Sequence, residues 1–324
     1  MSAQDPFVFL VGCWRSGTSL LQRIVDAHSE IAITRAETHW IPKYFKARIG
    51  ITDDGRVTGE LLAALLVDRR FREFESELER EEIEQLIPRD GEVAYADFVR
   101  ALFDVYARKR GKSLAGDKTP GYVREISLLH QLFPGTRFVH LIRDGRDICL
   151  SALNWEKRTP FAEIFPTWTE DPVTTAALLW RINVLNGLTR GAPLGPDLYY
   201  ELRYESLVHQ PEAACGELCA FLGLPYEEAM LRFYEGRGRT RLEPGQPTKR
   251  AWLPITPGLR DWRTQMPADD VERFEAAAGD LLERLEYGRR VPRPGPKRLA
   301  HAARIRERFV AALPGRYQPL PEGW

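Results

Sequence analysis

The segment from Phe9 to His28 reads "FLVGCWRSGTSLLQRIVDAH" and constrains the fold more than any other part of the chain. It begins with a short apolar run that ends in glycine, a pattern that predicts a buried parallel strand. Apolar residues then recur at helical spacing from Leu20 to Val25, which predicts an amphipathic helix. A strand, a glycine-bracketed loop and a helix in this order are the arrangement of a phosphate-binding loop.

The loop from Gly12 to Ser19 keeps the glycine spacing of the Walker A motif. Its glycines let backbone N–H groups point inward around phosphate oxygens, and the hydroxyl groups of Thr18 and Ser19 can add donors. Thr18, however, occupies the position of the Walker lysine, and the nearest cation is Arg15 inside the loop. The pattern favours a nucleotide that lacks a γ-phosphate and is used without metal over ATP. A plain glycine turn with Arg15 on the surface is the alternative.

Predicted strands and helices alternate through the rest of the chain, with further strands at "EIAIT", "KSLAGDKTP", "TRFVHLI" and "DLYYELRYESL". This order predicts an α/β fold of the P-loop type, a mainly parallel sheet flanked by helices on both faces. The charged helical stretch at about 43–110 is predicted to be a helical cap insertion. We expect one domain over 1–290, then a basic, proline-rich linker and a C-terminal helix over 291–324.

The composition excludes several classes of protein. The chain has 324 residues, 44% of them hydrophobic, and a formal net charge of zero, so no overall attraction to nucleic acid is expected. No stretch approaches the roughly 18 apolar residues of a membrane helix, and no signal peptide is evident, so we expect a cytoplasmic protein. Its four cysteines form no CxxC pair, which predicts small core residues rather than a metal site.

Other charged residues follow further predicted strands. Arg143 ends the strand in "TRFVHLIRDGRDICLS", where it could grip a phosphate, and Ser151 lies about two turns into the next helix. Lys118 follows the strand before "TPG", while Glu37 and His39 follow "EIAIT" and are each a candidate general base. Loops at the carboxyl ends of parallel strands can share one crevice. Surface ion pairs and helix caps are the alternative interpretation of these residues.

Together these motifs resemble the sulfotransferases that use 3′-phosphoadenosine 5′-phosphosulfate (PAPS). The resemblance extends from about Phe7 to Tyr287. "RSGTSLL" resembles the loop that binds the donor's 5′-phosphosulfate, and "RFVHLIRDGRDICLS" resembles the segment that binds its 3′-phosphate. The donor site implied by the resemblance comprises Arg15, Ser16, Gly17, Thr18, Ser19, Arg143, Ser151 and Tyr204. A later loop usually supplies distal nucleotide contacts, for which Lys249 or Arg250 in "PTKRAW" is the candidate.

Within that family, "RSGTS", "DAHS" and "AETHWIP" are most similar to motifs of the tyrosylprotein sulfotransferases. The resemblance implies that Glu37 is the catalytic base and that Arg15 and Lys118 stabilise the transferring group. His39 stands where that subgroup has arginine, and we expect His39 and Trp40 to lie near the substrate. The family also implies PAPS as donor, 3′-phosphoadenosine 5′-phosphate (PAP) as product, and no metal.

The sequence leaves the acceptor open among a small molecule, a carbohydrate, a lipid and a peptide tyrosine. It leaves open whether Glu37 or His39 is the base, and whether the protein is a homodimer. A P-loop kinase of a small metabolite and a non-catalytic nucleotide-binding protein are the alternative functions. The missing lysine at Thr18 argues against the kinase.

Overall fold

The computed structural model of the protein describes residues 7–75, 78–87, 89–154, 161–235 and 253–324. Within these ranges, one five-stranded sheet forms the centre of the fold, and all its strand pairs are parallel. The strands are β1 (Val8–Gly12), β2 (Ile31–Ile33), β3 (Leu114–Lys118), β4 (Arg137–Ile142) and β5 (Tyr199–Arg203). The α/β, P-loop-type fold predicted from the alternating pattern is confirmed.

The strand order is β2-β3-β1-β4-β5, which makes β1 the central strand. The chain builds the sheet on one side of β1 through β2 and β3, and then crosses to the other side for β4 and β5. Such a reversal opens a crevice beyond the carboxyl ends of the strands. The loop that follows β1 therefore lies where a ligand is expected to bind.

The helices flank this sheet and fill the connections between its strands. Their bounds are α1 (Thr18–Asp26), α2 (Trp40–Ala47), α3 (Gly59–Val67), α4 (Arg69–Glu75), α5 (Arg80–Gln85), α6 (Tyr95–Lys109), α7 (Ile126–Leu132), α8 (Gly145–Leu153), α9 (Phe161–Ile164), α10 (Pro172–Gly191), α11 (Tyr204–His209), α12 (Pro211–Leu222), α13 (Trp262–Gln265), α14 (Ala268–Arg284) and α15 (Pro296–Ala311). A 3₁₀ turn, Pro120–Arg124, leads from β3 to α7. Each parallel crossover places helices against a sheet face, which buries the apolar strands.

We refer to the helices α2 to α6, which lie between β2 and β3 in the chain, as the cap. Their apolar side chains are continuous with one face of the sheet, so the cap shares a core with β1. Aromatic side chains dominate this core: Phe7 packs edge-on against Phe103, whose ring centroid is 4.5 Å away. The cap is therefore fixed to the sheet beside the crevice.

The C-terminal segment contributes to the second large core cluster. Its helix α15 packs against α10 and α14, and Ile305 and Phe309 are buried with Trp180 of α10. The ring of Trp324 stacks on Phe309, with centroids 5.9 Å apart. The helix expected in 291–324 is thus present, and its apolar stripe is covered by the main domain.

All four cysteines, Cys13, Cys149, Cys215 and Cys219, are free and buried. Their burial agrees with the prediction that they are small core residues. Burial also raises the pKa of the Cys215 thiol to about 12, which keeps this thiol protonated at neutral pH. None of the helices in the described ranges combines the length and the apolar content that a bilayer span needs.

Candidate active site

The phosphate-binding loop follows β1 and ends at the first turn of α1. Ser16 donates its backbone N–H to the carbonyl of Cys13 (3.1 Å), which closes a tight turn. Arg15 and Gly17 both lie in the left-handed region, with φ of 67° and 105°. The Ser16 hydroxyl is buried and has no hydrogen-bond partner among the described residues. A buried donor without a partner is costly, so the loop is built for a ligand that supplies an acceptor.

Glycine is required at position 17 for two reasons. A side chain is strained at this φ, and a Cβ atom would come within 2.6 Å of the Tyr204 ring. Tyr204 begins α11 just after β5, and it is buried. The close packing of Gly17 on Tyr204 thus ties the loop to the far side of the sheet.

Arg15 joins the loop to the second motif of the sequence. Its Nε donates a hydrogen bond to Ser151 Oγ of α8, 2.9 Å away. Burial lowers the pKa of Arg15, and the positive charges of Arg260 and Arg143 lower it further. Three guanidinium groups therefore lie close together beside the loop. Like charges at such short range repel one another, and a bound anion between them would relieve this repulsion.

Arg143 leaves the end of β4 and is almost fully buried. Its Nη2 donates to Asp147 Oδ2 (3.2 Å), and its guanidinium group lies over the Tyr204 ring, 4.1 Å from the centroid. Its Nε is buried without an acceptor in the described part of the chain. Asp144 accepts from the backbone N–H of Arg146 and so caps α8. Arg143 keeps one donor available for an anion.

Arg260 is a further candidate site residue, which the sequence motifs did not indicate. It lies directly before α13, where the backbone N–H of Trp262 donates to Asp147 Oδ1 (2.9 Å). The Nε of Arg260 is also buried with no acceptor among the described residues. The only signal in the sequence was an arginine in the loop "TPGLRDW", well after the expected basic segment. Lys249 and Arg250, the residues expected for this role, lie outside the described residues.

A second cluster lies on the other side of β1. Lys118 Nζ donates to Glu37 Oε1 (2.7 Å), and His39 Nε2 bonds Glu37 Oε2 (3.0 Å). The Lys118 side chain is 6% exposed and that of Glu37 is 31% exposed. Burial would raise the pKa of Glu37, but Lys118 and His39 outweigh it and hold the pKa well below its usual range. Glu37 is therefore a carboxylate at neutral pH.

A buried hydroxyl network positions this second cluster. The fully buried Asp117 accepts from Thr34 Oγ1 (3.1 Å), and burial raises its pKa to about 6. Thr38 donates its backbone N–H to Thr119 Oγ1 (3.0 Å), and its hydroxyl bonds that of Tyr122 (2.7 Å). The loop after β2 is thereby held against the end of β3.

His39 and Trp40 are adjacent in sequence but point to different environments. The His39 side chain is 43% exposed, whereas Trp40 is fully buried. The Trp40 ring packs edge-on against Phe71, with centroids 5.3 Å apart, and also contacts Phe74. This burial leaves no face of the indole for an acceptor, so the observed role of Trp40 is packing within the cap.

The two clusters meet at one edge of the sheet. Lys118 pairs with Leu10 of β1, and Leu141 pairs with Gly12, so Lys118 and Arg143 both lie where the central strands end. Cations on both sides of the loop and one carboxylate suit transfer of an anionic group. In the described ranges, no group of three or more His, Cys, Asp or Glu residues is placed to hold a metal ion.

Comparison with known proteins identifies the family of this chain. Residues 6–228 match the family model described as "Sulfotransferase family". The chain belongs to the sulfotransferase family. The resemblance inferred from the two nucleotide-binding motifs is therefore confirmed, and the chain is an enzyme of the sulfotransferase class.

Curated sulfotransferases with different acceptors are similar to this chain. The omega-hydroxy-beta-dihydromenaquinone-9 sulfotransferase Stf3 of Mycobacterium bovis is 24% identical, over 91% of this chain and 79% of its own length. Protein-tyrosine sulfotransferase 1 of Danio rerio is 25% identical, over 87% of this chain and 72% of its own. These identities indicate common ancestry with enzymes that are named for two different acceptors.

Solved sulfotransferase structures share the fold. The sulfotransferase domain of the Synechococcus PCC 7002 olefin synthase superposes with a TM-score of 0.57 and 22% identity, covering 83% of this chain and 91% of that domain. The domain from the curacin biosynthetic pathway gives the same TM-score and identity, covering 88% of this chain and 98% of that domain.

Proposed function

We propose that this enzyme transfers a sulfuryl group from PAPS to the hydroxyl group of an acceptor. The observation that carries the proposal is the convergence of Arg15, Arg143 and Arg260 on the phosphate-binding loop. Two of these arginines carry buried Nε donors without an acceptor in the described residues. A nucleotide that carries phosphate groups on both its 3′ and 5′ oxygens would supply hydrogen-bond acceptors to these arginines and to the loop.

The loop would bind one end of the donor, and Arg143 with Ser151 would bind the other end. The hydroxyl of Ser16, the N–H groups at the start of α1, and Thr18 and Ser19 would bind the 5′-phosphosulfate. Arg143 and Ser151 would bind the 3′-phosphate. Tyr204 offers an aromatic edge beside them, and Lys249 or Arg250 remains a proposal for the distal contact.

The remaining residues perform the transfer. When bound, PAPS supplies the sulfuryl group and leaves as PAP. Arg15 and Lys118 would stabilise the negative charge that develops on the departing phosphate oxygen. The pair of Glu37 and His39 would remove the proton from the acceptor hydroxyl. Fixed cations then perform the neutralisation that Mg²⁺ performs in many phosphoryl transfers.

The acceptor is proposed only as a class, a hydroxyl group. One similar enzyme is named for a hydroxylated menaquinone and another for protein tyrosine. Both names imply a hydroxyl carried on a large, partly apolar molecule. We propose such an acceptor, entering beside the cap insertion of α2 to α6, over a free sugar.

Binding and turnover test the proposal. In calorimetry, PAP should bind with micromolar or better affinity without metal, and adenosine 5′-phosphate should bind at least about tenfold more weakly, because one phosphate is lost. Arg143→Ala should weaken PAP binding and leave adenosine 5′-phosphate binding nearly unchanged. Equal losses for the two nucleotides would remove Arg143 from the 3′-phosphate site. Preference for ATP with Mg²⁺ over PAP would favour the kinase.

Labelled PAPS then identifies the acceptor class. The full chain would be incubated with labelled PAPS and separate panels of tyrosine peptides, prenylated or phenolic hydroxyl compounds, and saccharides. We expect transfer to one or both of the first two panels. A protein that binds PAP and transfers to no panel or cell extract would be a non-catalytic binder.

A further inference from the structure

We infer that His39 accepts the proton of the acceptor hydroxyl and that Glu37 orients the imidazole and stabilises its charged form. This inference rests on the proposed sulfuryl transfer and concerns the same site. It reverses the roles that the family resemblance implies for the two residues. The hydrogen bonds within the cluster of Lys118, Glu37 and His39 support it.

Both oxygens of the Glu37 carboxylate are already engaged. Oε1 accepts from the nearly buried ammonium group of Lys118, and Oε2 is bonded to the ring of His39. A proton taken up by Glu37 would neutralise the negative charge that both of these contacts stabilise. The Lys118 cation also makes protonation of this carboxylate unfavourable. Glu37 is thus better placed as a permanent anion than as a proton acceptor.

The bond to Glu37 decides the tautomer of His39. An ionised carboxylate can only accept hydrogen bonds, so Nε2 must carry the proton that lies between the two groups. In the neutral ring the free lone pair is then on Nδ1. No hydrogen bond to Nδ1 is found among the described residues, and the side chain is 43% exposed. The basic nitrogen is therefore accessible to an acceptor.

The backbone holds His39 in place. Its φ of 46° lies in the left-handed region, which is uncommon for a residue other than glycine. Thr38 on one side is anchored by Thr119 and Tyr122, and Trp40 on the other side is buried in the cap. Strain that is held by anchored neighbours is typical of functional positions.

The groups facing His39 are consistent with this role. Glu37 comes from its own loop, Lys118 from β3, and the Tyr122 ring from the 3₁₀ turn, 6.4 Å away. Glu37 is the negative charge in contact with the imidazole. It would stabilise an imidazolium as the carboxylate of a Ser-His-Asp triad does.

The proposed transfer is a single displacement at sulfur. The acceptor oxygen forms a bond to sulfur while its proton moves to Nδ1 of His39. The bond between sulfur and the bridging oxygen of the donor substrate breaks, and its electron pair stays on the phosphate oxygen of PAP. Lys118 remains available to stabilise that oxygen, and the imidazolium later loses its proton to water.

Chemical rescue distinguishes His39 from Glu37 as the base. His39→Ala should lower kcat by at least about a hundredfold, the usual scale for a general base, with PAP affinity unchanged. Added imidazole should restore kcat by about tenfold or more, since it can occupy the vacated space. His39→Gln is the matched control, because it keeps an N–H donor toward Glu37 but has no basic nitrogen. It should be as impaired as His39→Ala and should not respond to imidazole.

Other outcomes would overturn the inference. If His39→Gln keeps near-wild-type kcat, or if formate restores Glu37→Ala while imidazole leaves His39→Ala unchanged, Glu37 is the base. A wild-type enzyme that transfers no sulfuryl group would instead refute the proposed function.

Discussion

Arg15 and Ser151 are 136 positions apart in the chain, and the Nε of the first donates to the hydroxyl of the second at 2.9 Å. This bond connects the loop after β1 to the helix after β4. The two segments that the sequence predicts to bind a nucleotide therefore lie in contact with each other. They meet because the parallel strands β1 and β4 end side by side.

Arg260→Ala should weaken PAP binding by at least about tenfold, because a charge-assisted hydrogen bond to an anion is lost. Calorimetry at low and high salt measures this, and the variant's affinity should depend less on salt. Arg263→Ala is the control, since Arg263 is exposed on the same segment and stacks on Trp262. Equal effects of the two substitutions would place Arg260 outside the donor site.

Gly17→Ala should abolish measurable PAP binding and lower stability by more than the about 1–3 kcal/mol that a strained φ costs. The added methyl group would displace the Tyr204 ring, which carries the Arg143 guanidinium group on its face. Gly55→Ala is the matched control: its φ is also positive, at 85°, but a Cβ there meets no atom within 4 Å.

Thermal and urea unfolding compare these two glycine variants. The Gly55 variant should show only the backbone cost and should keep PAP affinity. If the two variants lose stability equally and both bind PAP, the contact of Gly17 with Tyr204 does not shape the donor site.

Trp40→Ala should reduce the free energy of unfolding by about 3–5 kcal/mol, the usual cost of removing a buried aromatic side chain. Its indole is fully buried against aromatic rings of the cap. Val67→Ala, at a side chain that is 79% exposed in α3, should change stability by less than about 0.5 kcal/mol. A stable Trp40→Ala enzyme with a raised KM for its acceptor alone would return Trp40 to the substrate site.

His140 should make stability fall as the medium becomes acidic. It is fully buried in β4, its Nδ1 is bonded to the Tyr199 hydroxyl (2.6 Å), and burial, with the charge of Arg203, lowers its pKa to about 3. An unfolded imidazole titrates near about 6.5, so between these values the unfolded chain binds more protons than the folded one. Stability should therefore decrease by up to about 1.4 kcal/mol per pH unit as pH falls from about 6.5 to about 3.

Urea unfolding of the wild type and His140→Gln over this acidic range measures the contribution. The variant will be less stable at neutral pH because its ring contacts are lost, so the slopes against pH are compared rather than the values. The slope of unfolding free energy against pH should be smaller in the variant by up to about 1.4 kcal/mol per pH unit, the contribution of one proton. Parallel slopes would show that His140 is not the titrating group.

Local patterns were enough to predict the strands, most of the helices and the family. The run ending at Gly12, the helical stripe after it and the strand before Arg143 each depend on residues close in sequence. Periodicity reports which face of such an element is buried, and the spacing of glycines reports a loop that wraps an anion. These local patterns can be interpreted without knowing which distant residues each segment contacts.

Tertiary structure decided the rest, because contacts between distant segments depend on how the whole chain packs. The strand order, the approach of Arg260 to Arg15, and the opposite environments of His39 and Trp40 are all of this kind. The C-terminal helix is similar: its composition is basic, yet α10 and α14 cover its apolar stripe. The sequence predicted a carboxylate and an imidazole near one site, and only the tertiary structure brings Lys118 into contact with that carboxylate.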